Sequence, residues 1–208
     1  MQVTPRGLWG RSGQALHTTL RSWLGRDGVP MPLDELVRRY LAAFGPASVK
    51  DAQVWSGLSR LSEVVDGMRS ELVVFRDENG VELFDLPDAP RPGDVPAPVR
   101  FLYDFDNLLL SHADRGRVVT EAYAALVAPF FGSNIMPRAV LVDGFAAGMW
   151  TTDITKDTAR LRITGDFPDA VRAEVETEGR ALLDFLAPGR AQAVDFTTSP
   201  STAIASPS

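Results

Sequence analysis

LDELVRRYLAAFGPASVKDAQVWSGLSRLSEVVDGMRSELVVFRDENGVELFDL, residues 33–86, decides how this chain is read. Leu33, Leu36, Val37, Tyr40, Leu41 and Phe44 recur at three- and four-residue steps, giving a helix one apolar face. Gly45 and Pro46 stop it. Ser48 stands where an N-cap belongs, with Asp51 in the capping-box position of a short helix over residues 49–55. Gly57 ends that helix, and Ser59 is placed to cap a third, residues 59–68, carrying Leu61, Val64, Val65 and Met68. Residues 71–75 read as a valine-rich strand. Asp77-Glu78-Asn79-Gly80 then supplies a hairpin loop, and residues 81–86 return. Three short helices and a hairpin are the order of a winged helix. In that unit the third helix reads a DNA groove and the hairpin touches the backbone beside it.

Working outward, residues 1–32 read as an N-terminal loop and helix. The loop, residues 3–13, is broken by Pro5, Gly7, Gly10 and Gly13; the short helix carries Leu20, Trp23 and Leu24. A loop holding the apolar Leu8 and Trp9 reads as the remnant of a longer protein. On the other side, residues 87–98 hold Pro87, Pro90, Pro92, Pro96 and Pro98 and read as a stiff, extended linker. Residues 99–190 read as a β-rich half. A strand over 99–110 runs into a turn, a helix spans 120–127, a hairpin turns at Asp143-Gly144, and a third strand covers 158–164. Phe167-Pro168 opens a last helix over 169–186, with Val171, Val175, Leu182, Leu183 and Leu186 on its buried side. Residues 191–208, rich in Ser, Thr, Ala and Pro towards the end, are expected to be disordered. Trp9, Trp23, Trp55 and Trp150 sit in apolar neighbourhoods and are expected in the core. The expected fold class is α+β, with no internal repeat.

Composition removes several function classes. With 208 residues, 45% of them hydrophobic, the chain can bury a real core. It has no cysteine, which excludes disulfides and thiolate metal sites. His17 and His112 are too few for a histidine metal site, and Asp104-x-Asp106-Asn107 lacks the glycine and glutamate of a calcium loop. No metal and no cofactor are therefore expected. No apolar run reaches the roughly twenty residues of a membrane span, and residues 1–10 lack a signal-peptide core. A cytoplasmic protein without membrane contact is the expectation. The net charge of -6 argues against a broadly basic nucleic-acid coat but leaves room for a local patch.

Several stretches resemble the winged-helix DNA glycosylases of the AlkZ/YcaQ type, which release alkylated bases and unhook interstrand crosslinks. The most specific is the run Phe105-Asp106-Asn107-Leu108-Leu109-Leu110-Ser111-His112-Ala113-Asp114-Arg115. Pro5-Arg6-Gly7-Leu8-Trp9-Gly10-Arg11-Ser12-Gly13, Arg39-Tyr40-Leu41 with Phe44-Gly45-Pro46, and Trp55-Ser56-Gly57-Leu58 agree in order. So does Val142-Asp143-Gly144 with Gly148-Met149-Trp150. The resemblance implies tandem winged helices, a small β-barrel-like C-terminal domain with a terminal helix, and double-stranded DNA as partner. It covers only the C-terminal part of the family. The family's catalytic Gln-x-Gln or Gln-x-Asp signature is absent here, since Gln14, Gln53 and Gln192 each lack a partner. No catalytic residue is carried over. Tyr103-Asp104 stands where the family has Pro-Glu, a departure from its pattern.

The candidate DNA contacts are cations. Arg60 and Arg69 flank the third helix with Lys50 nearby, although Glu63 and Asp66 share that helix and repel phosphate. Arg6 and Arg11 in the opening loop, and Arg115 and Arg117 after Asp114, lie next to glycines that let a ligand approach the backbone. Packing Leu8 and Trp9 against residues 108–110 would bring these two pairs into one basic strip. The alternative is that they tie loops to Asp104, Asp106 or Asp114. Ser111-His112-Ala113-Asp114 is read as structural, because near-consecutive residues seldom place a base between nucleophile and acid. The expected function is binding of duplex DNA as the non-catalytic part of a repair glycosylase. Base excision with a missing N-terminal winged helix supplied, or service as a protein-interaction module, are the alternatives.

Overall fold

The computed structural model describes residues 2–3, 13–93, 95–130, 132–133 and 135–198. Arg6, Leu8, Trp9 and Arg11 lie outside the described residues, and with them half of the expected strip. Gln2–Val3 (β1) pairs antiparallel with Leu16–His17 (β2), so Val3, the first residue of the expected loop, lies in a strand. Leu20–Leu24 (α1) follows, capped by the Thr19 hydroxyl. Trp23 is 54% exposed, against the expectation of a core residue, because this short helix buries none of its side chains.

The apolar spacing of residues 33–68 builds Leu33–Phe44 (α2), Val49–Ser56 (α3) and Leu61–Met68 (α4). Val37, Tyr40, Leu41, Ala52, Leu61, Val65 and Met68 bury one another in a core that also takes Ala47 and Phe84. Both halves of the capping box form. Ser48 Oγ accepts from the Asp51 N–H at 3.1 Å and Asp51 Oδ2 accepts from the Ser48 N–H at 2.8 Å. Ser59 does not cap α4. Arg60 is the N-cap residue, at φ 62°, and the Leu61 N–H donates to Gln53 Oε1 of α3 at 3.0 Å. Val73–Arg76 (β3) and Glu82–Asp85 (β4) form the hairpin, and Ala47 bridges Phe84 by a reciprocal pair of backbone hydrogen bonds. Gly45 makes that approach possible, since a Cβ there would collide with the Asp85 carboxylate and lie 2.7 Å from the Leu41 carbonyl.

Beyond residues 87–98, where Arg91 is anchored to buried Asp85, the sheet begins. Its strands are Arg100–Phe101 (β5), Arg138–Val142 (β6), Phe145–Ile154 (β7), Thr158–Gly165 (β8) and Ala191–Thr197 (β9), in that order. Between β5 and β6 stand a 3₁₀ turn at Asn107–Leu109 and Glu121–Val127 (α5). The expected strand over 99–110 is thus only two residues long. Asp169–Leu186 (α6) carries the chain across one face so that β9 returns parallel to β8. Val140, Trp150, Leu161, Ile163, Val175 and Leu183 fill that interface.

Two expectations are corrected here. The sheet is open, with β5 and β9 at its edges among the described residues, so no closed barrel exists; α6 covers the apolar face that closure would otherwise bury. The tail is ordered as a strand over residues 191–197, because Val194 and Phe196 alternate into the α6 interface. Among the described residues, no helix is long and apolar enough to cross a membrane.

Candidate nucleic-acid interface

The run at residues 105–117 joins the helical unit to the sheet. Asp106 Oδ1 accepts from the Leu108 N–H at 2.9 Å and starts the 3₁₀ turn that buries Leu109. The next residues then lie along α2 and α3. The Tyr40 hydroxyl donates to the Ser111 carbonyl at 2.7 Å, and Asp51 Oδ1 accepts from the Ala113 N–H at 2.8 Å. His112 Nε2 lies 3.0 Å from the Phe44 carbonyl oxygen and 2.9 Å from Arg117 Nη1, which also donates to the Pro46 carbonyl at 3.0 Å. A protonated Nε2 serves Phe44 and a bare one accepts from Arg117; the imidazole supplies one or the other.

Electrostatics follow this packing. Burial raises the Asp51 carboxyl, but the backbone and hydroxyl donors of Ser48 and the Ala113 N–H outweigh it and hold it below the usual range. Burial first, then the Arg117 charge, push His112 below its ordinary value. Burial, helped by Asp51, raises the Tyr40 phenol. The Ser111 hydroxyl donates to the Asn107 carbonyl, so it is committed to the turn and not presented to His112. The family-like run is a seam in this chain.

The candidate cations divide between two jobs. Lys50, Arg69 and Arg117 line one cleft of about 1070 Å³ between the start of α3, the hairpin and the loop at 113–117. Asp51, Asp66, Asp77, Glu78, Glu82 and Asp114 share its walls, so its field is not that of a phosphate groove. Arg69 grips Glu82 through two hydrogen bonds, at 2.9 and 2.7 Å, and lies over the Phe84 ring; with Arg76 on the same carboxylate it braces the hairpin. Arg117 belongs to the seam. Neither has the free guanidinium expected of a phosphate contact. Lys50, Arg60 and Arg115 are exposed and have no ion-pair or hydrogen-bonding side-chain partner among the described residues. Arg115 lines a different, apolar pocket of about 240 Å³ with Leu109, Tyr123 and Val127, apart from the cleft of Arg117. Burial there pushes the Tyr123 phenol up to about 12. Arg115 and Arg117 thus line different pockets, and among the described residues neither forms an ion pair with Asp104, Asp106 or Asp114, the alternative reading.

The model of the family described as AlkZ-like DNA glycosylases matches residues 1–185. The chain belongs to that family. Among solved structures it is similar to the DNA glycosylase AlkZ of Streptomyces sahachiroi, with a TM-score of 0.63 and 24% identity. That match covers 85% of this chain and 50% of the other, so the chain spans about half the length of this relative. The likeness shows a shared fold. No curated protein gives a significant match. Within this AlkZ-like frame, no group of three or more His, Cys, Asp or Glu side chains among the described residues is placed to hold a metal ion. Sequence reasoning also missed an outward-facing aromatic pair, Tyr103 and Phe105, because alternation of Tyr, Asp, Phe and Asp ordinarily signals rings turned inward.

Proposed function

We propose that this AlkZ-like chain binds double-stranded DNA through a winged helix and serves as a non-catalytic portion of a cytoplasmic DNA-repair glycosylase. The family match over residues 1–185 carries the reading. Three helices, a hairpin and the Ala47–Phe84 bridge support it, being the parts and order of a winged helix. Arg60 supports it further: it opens α4, the helix that would enter the groove, and is held at positive φ with its side chain exposed. Among the described residues, Lys50 and Arg115 are the other unpaired candidates, while Arg69 and Arg117 position the hairpin and the seam.

Excision needs a group that orients water or stabilises the developing sugar cation, and the Gln-x-Gln signature that the resemblance associates with this step is missing. The pure chain, incubated with alkylated duplex DNA, is expected to leave no abasic sites. Saturable release of 7-alkylguanine overturns the non-catalytic role. Duplex affinity is expected to fall with salt at a slope of about two to four in log–log form, from a few phosphate contacts near 0.9 each. Tight, salt-insensitive binding contradicts the phosphate-led reading. The carboxylates of the large cleft favour a second reading, docking of a basic protein segment. An absence of duplex binding at low salt would leave that one standing.

A further inference from the structure

The loop between β5 and the 3₁₀ turn is inside out. In Tyr103-Asp104-Phe105-Asp106 the rings face solvent, Tyr103 at 61% and Phe105 at 58% exposure, while the two acids are half-buried. Asp104 lies 3.7 Å from Arg138 Nε through a buried oxygen, and Asp106 caps the turn through the Leu108 N–H. Phe105 holds φ at 57°, a conformation that a bulky side chain adopts only under strain. Its ring has no aromatic or cationic contact among the described residues. Tyr103 is backed by the Arg138 guanidinium, which sits 4.5 Å from its ring centroid and 4.9 Å from that of buried Trp150. One ring is therefore braced against the sheet, the other is held out by a strained backbone, and the acids beside them are half-buried, Asp104 toward Arg138 and Asp106 on the turn.

Resting on the DNA-binding reading, we infer that Tyr103 and Phe105 form a stacking platform for an unpaired nucleobase of DNA. Exposed flat aromatic faces, with the neighbouring Asp104 turned toward Arg138 and Asp106 engaged by the Leu108 N–H, suit a base whose partner has been lost, and stacking needs no sequence-specific edge contact. A fully paired duplex keeps its base faces covered and offers the platform nothing. The platform thus distinguishes opened from closed DNA, while the exposed cations contact phosphate in both.

The test is a comparison of the full chain on two short duplexes, one fully paired and one with a central bubble carrying 2-aminopurine. The bubble is expected to bind at least about fivefold tighter and to quench the 2-aminopurine. Tyr103→Ala and Phe105→Asn should abolish the preference and the quenching, with paired-duplex affinity unchanged. Tyr103→Phe should keep both. Tyr103→Leu preserves an apolar cover for Arg138 without a π face, and should lose the preference in the same way if Tyr103→Ala fails to fold. An unchanged preference in the ring variants overturns the platform and leaves the DNA-binding reading intact. Binding of neither duplex by the wild-type chain overturns both.

Discussion

Asp51 shows how much one side chain organises. Its Oδ2 takes the Ser48 N–H and hydroxyl and closes the capping box of α3; its Oδ1 takes the Ala113 N–H from a segment 62 residues on. The capping box was legible in the sequence, since Ser48-x-x-Asp51 before an apolar run is a local signal. The second contact was not, because a backbone N–H has no side-chain signature. Neither was the cap of α4: Ser59 has the right chemistry, yet Gln53 reaches the Leu61 N–H from the preceding helix and Arg60 occupies the cap position. Asp51→Ala is expected to cost about 1–3 kcal/mol in denaturant unfolding, by removing a cap and leaving buried donors unpaired. The carboxyl is held below its usual range, so its stabilisation is present above the unfolded value near 3.9 and is lost as pH falls towards the folded one. Between about pH 5 and pH 3, the window this shift opens, the wild type should lose more stability than Asp51→Asn. A parallel decline in the two proteins would locate the acid sensitivity elsewhere.

At the scale of elements, the strongly periodic parts were legible and the compositionally quiet ones were not. α2 and α6 announce themselves by apolar spacing, and the hairpin by its Asn-Gly loop. β9 is hidden among small and polar residues, where Val194 and Phe196 alone give the two-residue period that a parallel pairing with β8 requires. The loop carrying His112 was legible as a distinctive run but not as a seam. Its imidazole is packed against the carbonyl end of α2 and Arg117, with Asp51 and Asp114 also acting on its charge and Nδ1 buried without a partner. Its folded pKa lies below the ordinary value, so the unfolded chain binds the proton first. The neutral-imidazole contribution is complete above about pH 6.5 and declines as pH falls from there towards the folded pKa. The melting temperature should therefore drop as pH falls from about 6.5 towards about 5.5, and His112→Asn should flatten that limb. The same slope in the variant would assign the change to other groups.

For the whole molecule, sequence reasoning separated a helical unit from a β-rich half, and the structure shows what holds them together. The prolines of residues 87–98 cannot extend a sheet ladder, so the covalent connection does little to couple the halves. Coupling falls to the seam: Tyr40 on the Ser111 carbonyl, Asp51 on Ala113, His112 on the Phe44 carbonyl and Arg117 on the Pro46 carbonyl. Three of these four end on a backbone carbonyl and the fourth on a backbone N–H. That explains why Tyr40 and Arg117, each conspicuous in the sequence, gave no hint of where they dock. The buried side chains form separate cores, one around Tyr40 and Leu61, one around Leu161 and Leu183, and one around Leu109 and Tyr123. A single calorimetric transition at neutral pH is therefore expected only because the seam joins them. Tyr40→Phe removes one hydroxyl without opening a cavity and should lower that transition slightly, at a cost of about 1 kcal/mol. Combined with Asp51→Ala, it takes two of the four ties away, and the transition should broaden or split into two. The two changes share one seam, so their joint effect should exceed the sum of the singles. Additive costs with an undivided transition would mean that the apolar contacts between the halves, and not these hydrogen bonds, make the molecule cooperative.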